Sequence, residues 1–281
     1  MVLTIDNFAN IKNDKLTNYF KKAKVTNMPP LLETKGITLQ FGGLIALSDV
    51  SISVGERKIV SLIGPNGAGK STMFNCINGL YRGFKGSIFL QGKEIQNLPP
   101  HKISRLGISR TYQNLELFSN MTVIENILVG YHQHIKTNLF SDAFRLVPFR
   151  RETNSCMTDS LKIMELLGLL KYRDYLVSEL PYGTLKRVEI GRALAMKPFL
   201  LLLDEPTCGM NEQETEEIAR LIVNLNRDLN VSILLVEHDM SVVMGISDLI
   251  YVLNHGQIIS KGSAEEVKRD PEVIRAFLGG E

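Results

Sequence analysis

Short runs of apolar residues alternate with longer stretches of helical periodicity along most of this chain. Runs bounded by Gly, Asp or Glu predict strands at residues 36–40, 50–54 and 59–63, and later at 199–203, 232–236 and 249–253. The later runs are almost continuously apolar, a pattern typical of parallel strands buried on both faces. Helical stretches such as residues 212–226 separate them. This alternation predicts an α/β protein with a parallel core sheet.

The strand pattern fades in the middle of the chain, where helical periodicity at residues 123–135 and 153–170 dominates. We therefore expect a mostly helical lobe inserted into the α/β core. The length of 281 residues suits one large domain with such a lobe, or two domains. The predicted units are an N-terminal extension at 1–30, an α/β core at 31–97 and 178–260, a helical subdomain at 98–177 and a C-terminal helical tail at 261–281.

The first 27 residues are polar and lysine-rich, with five lysines against two aspartates. They carry a local charge of +3 within a net +2, so the rest of the chain gives no support to nucleic-acid binding. Three interpretations are open: a disordered tail, translation from an upstream start codon with Met28 as the natural start, or a basic amphipathic helix against anionic lipid. We favour the first two and assign the segment no function.

The overall composition is that of a globular protein, with 44% hydrophobic and 22% charged residues. The sequence contains no run of about 18 apolar residues, so we expect no membrane span. Residues 1–27 lack the apolar segment of a secretory signal. Cys76, Cys156 and Cys208 have neither metal nor disulfide spacing, which fits a reducing compartment.

Residues 64–71, with the sequence GPNGAGKS, fit the phosphate-loop pattern G-x-x-x-x-G-K-[ST] between a predicted strand and a predicted helix. Glycines let the backbone fold around an anion, and its N–H groups and the helix N-terminus supply positive dipoles. We expect Lys70 to reach the β- and γ-phosphates and Ser71 to bind Mg²⁺. The predicted nucleotide-binding residues here are Gly64, Asn66, Gly67, Ala68, Gly69, Lys70, Ser71 and Thr72. By itself the loop predicts ATP or GTP, as in GTPases, kinases and recombinases.

Two further strands end in residues that suit phosphate chemistry. The apolar run at 200–203 leads into Asp204, placed to hold Mg²⁺ through water, and Glu205, placed to orient or deprotonate the attacking water. His238 follows the run at 232–236 and is positioned to sense the γ-phosphate. A lone histidine is more often structural, and Gln113 carries even less information taken alone.

Taken together, these motifs resemble the ATP-binding cassette (ABC) family over residues 31–281. The resemblance implies a P-loop NTPase of the ABC type, with a mostly parallel core sheet, an antiparallel β subdomain and a helical lobe. It implies that Gln113 belongs to the loop that contacts the metal and the reaction centre, that His238 is the switch histidine, and that Phe41 stacks on adenine. It also implies that residues of the family signature contact the nucleotide of a partner chain: Leu180, Tyr182, Gly183 and Thr184.

More closely, the chain resembles the ATPases of branched-chain amino acid importers. This resemblance rests on FGGL at 41–44, MTVIEN at 121–126, EHDM at 237–240, MGISD at 244–248 and VIRAFLG at 273–279. It implies ATP and Mg²⁺ as cofactors, and a homo- or heterodimer of nucleotide-binding subunits. It further implies transmembrane permease subunits, a periplasmic or extracellular substrate-binding protein, no nucleic acid, and a peripheral location on the cytoplasmic side of the inner membrane.

The signature departs from the family pattern. The usual Leu-Ser-Gly-Gly-Gln is replaced by Leu-Pro-Tyr-Gly-Thr at residues 180–184, which removes a serine hydroxyl and, at Pro181, a backbone N–H. We expect the N–H groups from Gly183 onward and the helix dipole to remain available. The departure leaves open a weakly hydrolysing regulatory subunit. Other open alternatives are a cassette ATPase of DNA repair or translation, and a transporter ATPase for urea, amides or lipid.

Overall fold

The computed structural model describes residues 29–133 and 147–278. The extension predicted for residues 1–30 therefore lies almost wholly outside the described residues. The end of the helical stretch predicted at 123–135 and the last three residues of the C-terminal tail also lie outside them. Within the described ranges, no helix has both the length and the apolar character needed to cross a bilayer.

Strands and helices alternate along the described residues. The strands are β1 (Leu32–Phe41), β2 (Leu44–Val50), β3 (Ser53–Val54), β4 (Ile59–Ile63), β5 (Lys85–Leu90), β6 (Lys93–Glu94), β7 (Ile108–Arg110), β8 (Leu200–Asp204), β9 (Ser232–Val236), β10 (Leu249–Asn254) and β11 (Gln257–Gly262). The α-helices are α1 (Lys70–Ile77), α2 (Pro100–Arg105), α3 (Val123–Val129), α4 (Val147–Leu166), α5 (Tyr182–Ala195), α6 (Glu212–Leu229), α7 (Met240–Ile246), α8 (Ala264–Arg269) and α9 (Pro271–Leu278). Short 3-10 helices lie at Gly130–Gln133, Leu170–Tyr172 and Val177–Glu179.

The central sheet has six strands in the order β11-β10-β4-β9-β8-β7. Neighbours from β10 to β7 pair in parallel, and β11 pairs antiparallel with β10. Strand β4, which precedes the phosphate loop, therefore lies between β9 and β10. The predicted α/β fold with a mostly parallel core sheet is confirmed.

Strand β8 shows why the core runs are continuously apolar. Leu200 and Leu202 face a first core cluster between the central sheet and the antiparallel sheet. Leu201 and Leu203 face a second core cluster on the opposite side, formed with the helical part of the chain. Since successive side chains of a strand point to opposite faces, a strand covered on both sides needs apolar residues at every position.

A smaller sheet of β1, β2, β3, β5 and β6 covers the first core cluster, and its strands pair antiparallel. The single strand predicted at residues 50–54 is divided between β2 and β3. Between them one backbone donor is diverted to a side chain, because Ile52 N donates to Thr34 Oγ1 at 2.9 Å, while Thr34 N still donates to Ile52 O at 2.9 Å. The antiparallel β subdomain implied by the family resemblance is present.

The helical part differs in two places from the sequence prediction. Helix α3 ends at Val129, and the chain continues as a 3-10 helix from Gly130, which lies so close to α5 that a Cβ there would overlap Arg192 O. Strand β7 lies within residues 98–177, which were expected to form a helical subdomain, yet it pairs with β8 at the edge of the central sheet. Three residues are too few to show strand periodicity, so only the pairing reveals this strand.

Candidate active site

The phosphate loop follows β4 directly and ends in α1, so the backbone turns at the carboxyl edge of the central sheet. All three of its glycines have a positive φ, and at two of them a Cβ would also clash with neighbouring backbone. Gly64 has φ 152°, and a Cβ there would overlap Leu253 O; Gly69 has φ 107°, and its Cβ would lie 2.7 Å from Ala46 O. The loop is thus pressed against neighbouring backbone, an arrangement that only glycine allows.

Lys70 is the first residue of α1 and turns back over the loop. Its Nζ donates to Gly64 O at 2.7 Å and to Pro65 O at 2.9 Å. The side chain is only 6% exposed. Burial lowers the pKa of Lys70, while the nearby carboxylates of Glu205 and Asp204 oppose that shift. The loop, its lysine and the two predicted carboxylates therefore share one electrostatic environment.

Asp204 ends β8 and is 2% exposed. Its Oδ2 accepts a hydrogen bond from Arg110 Nη2 at 2.7 Å. Its Oδ1 is buried and has no hydrogen-bond partner among the described residues. A buried carboxylate oxygen without a partner is costly, so this oxygen is suited to accept an additional ligand.

The three residues predicted to be catalytic meet at one carboxylate. Gln113 Nε2 donates to Glu205 Oε2 at 2.8 Å, and His238 Nε2 hydrogen-bonds to Glu205 Oε1. Glu205 has φ 47°, a left-handed conformation that costs a non-glycine residue about 1–2 kcal/mol. Hydrogen bonds from Gln113 and His238 thus fix the orientation of both carboxylate oxygens of Glu205. Its backbone also has a strained conformation of the kind that is common at functional sites.

Phe41 ends β1, and its side chain is 46% exposed. Its ring meets Tyr81 edge to face, with centroids 5.2 Å apart. Phe41 is therefore a surface residue and not part of either core cluster. An exposed ring of this kind offers a face to a planar ligand.

The signature residues are set apart from the phosphate loop. They begin α5, and Leu180 belongs to the second core cluster, whereas Ala68 of the loop belongs to the first. The N–H of Thr184 donates to Pro181 O at 3.0 Å. Leu185 N donates to the same oxygen at 3.0 Å, so the expectation that the N–H groups from Gly183 onward remain available is wrong for both Thr184 and Leu185.

Sequence reasoning missed four buried charged residues near the site. Arg110 pairs with Asp204, and Glu237 accepts from Thr207 N at 2.8 Å and from His238 N at 2.9 Å. Glu237 follows strand β9, the same signal that selected Asp204 and His238, so it could have been found, whereas Arg110 ends β7, a strand that only its pairing reveals. The other two, Lys186 and Glu189, lie on α5 and gave no such signal.

The site has the parts of a P-loop nucleotide hydrolase. These are a phosphate loop with a buried lysine, a carboxylate with an oxygen that is unpartnered in the described part of the chain, and a second carboxylate that is hydrogen-bonded to an amide and an imidazole. Family comparisons agree. A family model described as ABC transporter matches residues 47–208, and one described as Branched-chain amino acid ATP-binding cassette transporter matches residues 257–281.

Similar proteins extend over nearly the whole chain. The high-affinity branched-chain amino acid transport ATP-binding protein LivG of Salmonella typhimurium is 47% identical over 250 residues, which cover 89% of this chain and 98% of the relative. The corresponding protein of Pseudomonas aeruginosa, BraF, is 44% identical with the same coverage. LivG of Archaeoglobus fulgidus, described as probable, is 37% identical over 256 residues, 89% of this chain and 96% of the relative.

Solved structures agree with the sequence relatives. A nucleotide-free ATP-binding cassette from an ABC transporter superposes with a TM-score of 0.77 and 34% identity, over 89% of this chain and 99% of that one. A cassette in its ADP conformation gives 0.78 and 34%, over 90% and 100%. The chain belongs to the ABC transporter family, as an ATP-binding and ATP-hydrolysing cassette.

Proposed function

We propose that this protein is the ATP-hydrolysing subunit of an importer that takes up branched-chain amino acids through separate permease subunits. The observation that carries this proposal is the match of residues 257–281 to the branched-chain amino acid cassette model, since this segment lies outside the general ABC match at 47–208. The 44–47% identity to ATP-binding proteins of high-affinity branched-chain amino acid transport supports the same cargo.

The residues of the site divide the chemistry among them. The N–H groups of the phosphate loop and Lys70 hold the phosphates of ATP. Glu205 takes the proton of the attacking water, and the side chains of Gln113 and His238 hold its carboxylate in place. Phe41 contributes an exposed ring for stacking on adenine. Catalysis of phosphoryl transfer by such a site is mainly positioning and electrostatic stabilisation.

The donor set fits Mg²⁺. Asp204 has a buried Oδ1 that lacks a partner among the described residues, and carboxylate and hydroxyl oxygens are the ligands that Mg²⁺ prefers. We assign Asp204, Ser71 and Gln113 to this ion. When bound, it neutralises charge on the β- and γ-phosphates.

Replacing Asp204 with Asn tests this assignment. Asn keeps an oxygen that accepts from Arg110 but loses the negative charge, so we expect Mg²⁺-dependent ATP hydrolysis to fall about 10- to 100-fold. ATP affinity measured with a chelator present should be the same in the variant and the wild type. If added Mg²⁺ raises the ATP affinity of both proteins equally, Asp204 is not at the metal.

Two copies of the cassette are needed to complete each site. Of the signature residues Leu180, Tyr182, Gly183 and Thr184, Leu180 packs in the second core cluster, whereas Ala68 of the phosphate loop packs in the first. A nucleotide bound at the loop of one subunit therefore meets the signature of a second, related or identical, subunit. This dimer works with permease subunits and an external substrate-binding protein, on the cytoplasmic face of the inner membrane.

The cargo can be tested in the organism that encodes the chain. Deletion of its gene should abolish most high-affinity uptake of radiolabelled leucine, isoleucine and valine, and leave urea and amide uptake unchanged. The wild-type gene should restore uptake, whereas a Glu205→Gln gene, expressed at the same level, should not. Unchanged leucine uptake together with loss of urea, amide or lipid transport would assign a different cargo.

A further inference from the structure

A buried ion pair on α5 lies against the segment that carries Gln113. Lys186 and Glu189 are one turn apart on the helix, and the side chains of both are only 1% exposed. The distance from Lys186 Nζ to Glu189 Oε2 is 3.4 Å. Charged side chains are rarely buried to this extent unless every charge has partners.

The partners of this pair are backbone groups of the Gln113 segment. Lys186 Nζ donates to Tyr112 O at 3.1 Å and to Gln113 O at 3.2 Å. Glu189 Oε1 accepts from Tyr112 N at 2.8 Å. Side chains of α5 thus form hydrogen bonds with three backbone groups of two consecutive residues. One of these residues, Gln113, carries the side-chain amide that donates to Glu205.

Stability alone does not account for such a pair. Burying two charges costs several kcal/mol in desolvation, and apolar replacements of buried ion pairs are often neutral or stabilising. Burial indeed raises the pKa of Glu189, although Lys186 and the N–H of Tyr112 oppose the rise. What apolar residues cannot supply is directional hydrogen bonding to the backbone at residues 112 and 113.

We propose that Lys186 and Glu189 are positioning residues for hydrolysis, which hold the Gln113 amide against Glu205 and tie this contact to the helix that begins with the signature. The inference rests on the proposed role of Glu205. Since the same helix carries Gly183 in its first turn and Lys186 in its second, movement of the signature against a partner subunit moves the support of Gln113 with it. Engagement of the signature is thereby linked to alignment of Glu205 in the same chain.

The test uses purified full-length protein and a Lys186→Met variant, which keeps the length of the side chain and removes the charge. We expect kcat for ATP hydrolysis to fall about tenfold, with KM for ATP nearly unchanged, because the phosphate loop is untouched. In a Gln113→Ala background the same substitution should have no further effect, since the amide that it positions is gone. A merely structural role would lower activity by the same factor in both backgrounds.

Lys197→Met is the matched control. Lys197 also pairs with a carboxylate, Asp159 at 3.0 Å, but it follows the end of α5 at Ala195 instead of standing in the turns next to the signature. Its kcat should equal that of the wild type. Thermal unfolding of each variant checks folding. If Lys186→Met does not fold, Glu189→Gln provides a second route, with a smaller loss of kcat because its amide oxygen still accepts from Tyr112 N.

The outcomes separate this inference from the proposed function. Absence of hydrolysis by the wild type contradicts the proposed function itself. Wild-type hydrolysis with unchanged kcat in Lys186→Met, or with an equal loss in both backgrounds, overturns only the positioning role.

Discussion

Replacing Glu205 with Gln is expected to lower kcat for ATP hydrolysis by about 100- to 1000-fold while ATP still binds. The substitution keeps the size of the side chain and an oxygen that can accept from Gln113 or His238, but it removes the group that takes the proton from water. Steady-state hydrolysis and equilibrium binding of ATP to the same preparation measure the two effects separately.

Glu216→Gln serves as the control for this experiment. Glu216 is an exposed carboxylate on α6 that pairs with Arg220 one turn away. Its kcat should equal that of the wild type. Near-normal turnover in Glu205→Gln would show that another group, or water alone, accepts the proton.

Lys70→Met is expected to have the opposite effect, because it should lose ATP binding itself. Removal of the ammonium deletes the charge that meets the phosphates, and we expect the affinity for ATP to fall about 100-fold or more. Folding should survive, because Met fills the same space and burial already disfavours the charge of Lys70. The rise in unfolding temperature that ATP gives to the wild type should therefore be absent in Lys70→Met and retained in Glu205→Gln.

The control for Lys70→Met is Lys93→Met on the exposed strand β6. This variant should keep both ATP binding and the ATP-dependent rise in unfolding temperature. A Lys70→Met protein that binds ATP as tightly as the wild type would contradict the assignment of residues 64–72 to the phosphates.

Much of the site could be predicted because position along a strand carries the information. Asp204 ends a buried strand, Glu205 and His238 follow within two residues of such an end, and the phosphate loop stands between a strand and a helix. The carboxyl ends of parallel strands lie at the same edge of a sheet. The positions of these residues along the sequence are therefore enough to predict that they lie close together. The family resemblance placed Gln113 at the reaction centre and the metal, but its contact with Glu205 is seen only in the structure.

Lys186 and Glu189 could not be recognised in the same way. Opposite charges three residues apart on a helix are the usual pattern of a solvent-exposed pair. Their burial depends on the segment at residues 112–113, which lies more than seventy residues earlier in the chain. Strand β7 was not predicted for the same reason, since it is recognised as a strand only by its pairing with β8.

The shape of the phosphate loop also depends on distant parts of the chain. Gly256 N donates to Ala68 O at 2.9 Å, and Leu253 O lies against Gly64. Strand β4 is flanked by β9 and β10, both of which are synthesised more than 160 residues later. On the ribosome, an emerging phosphate loop therefore lacks the two strands that flank β4 in the central sheet until the C-terminal quarter of the chain has appeared. The apolar strand β4 stays exposed during that interval, so we expect the nascent chain to bind chaperones.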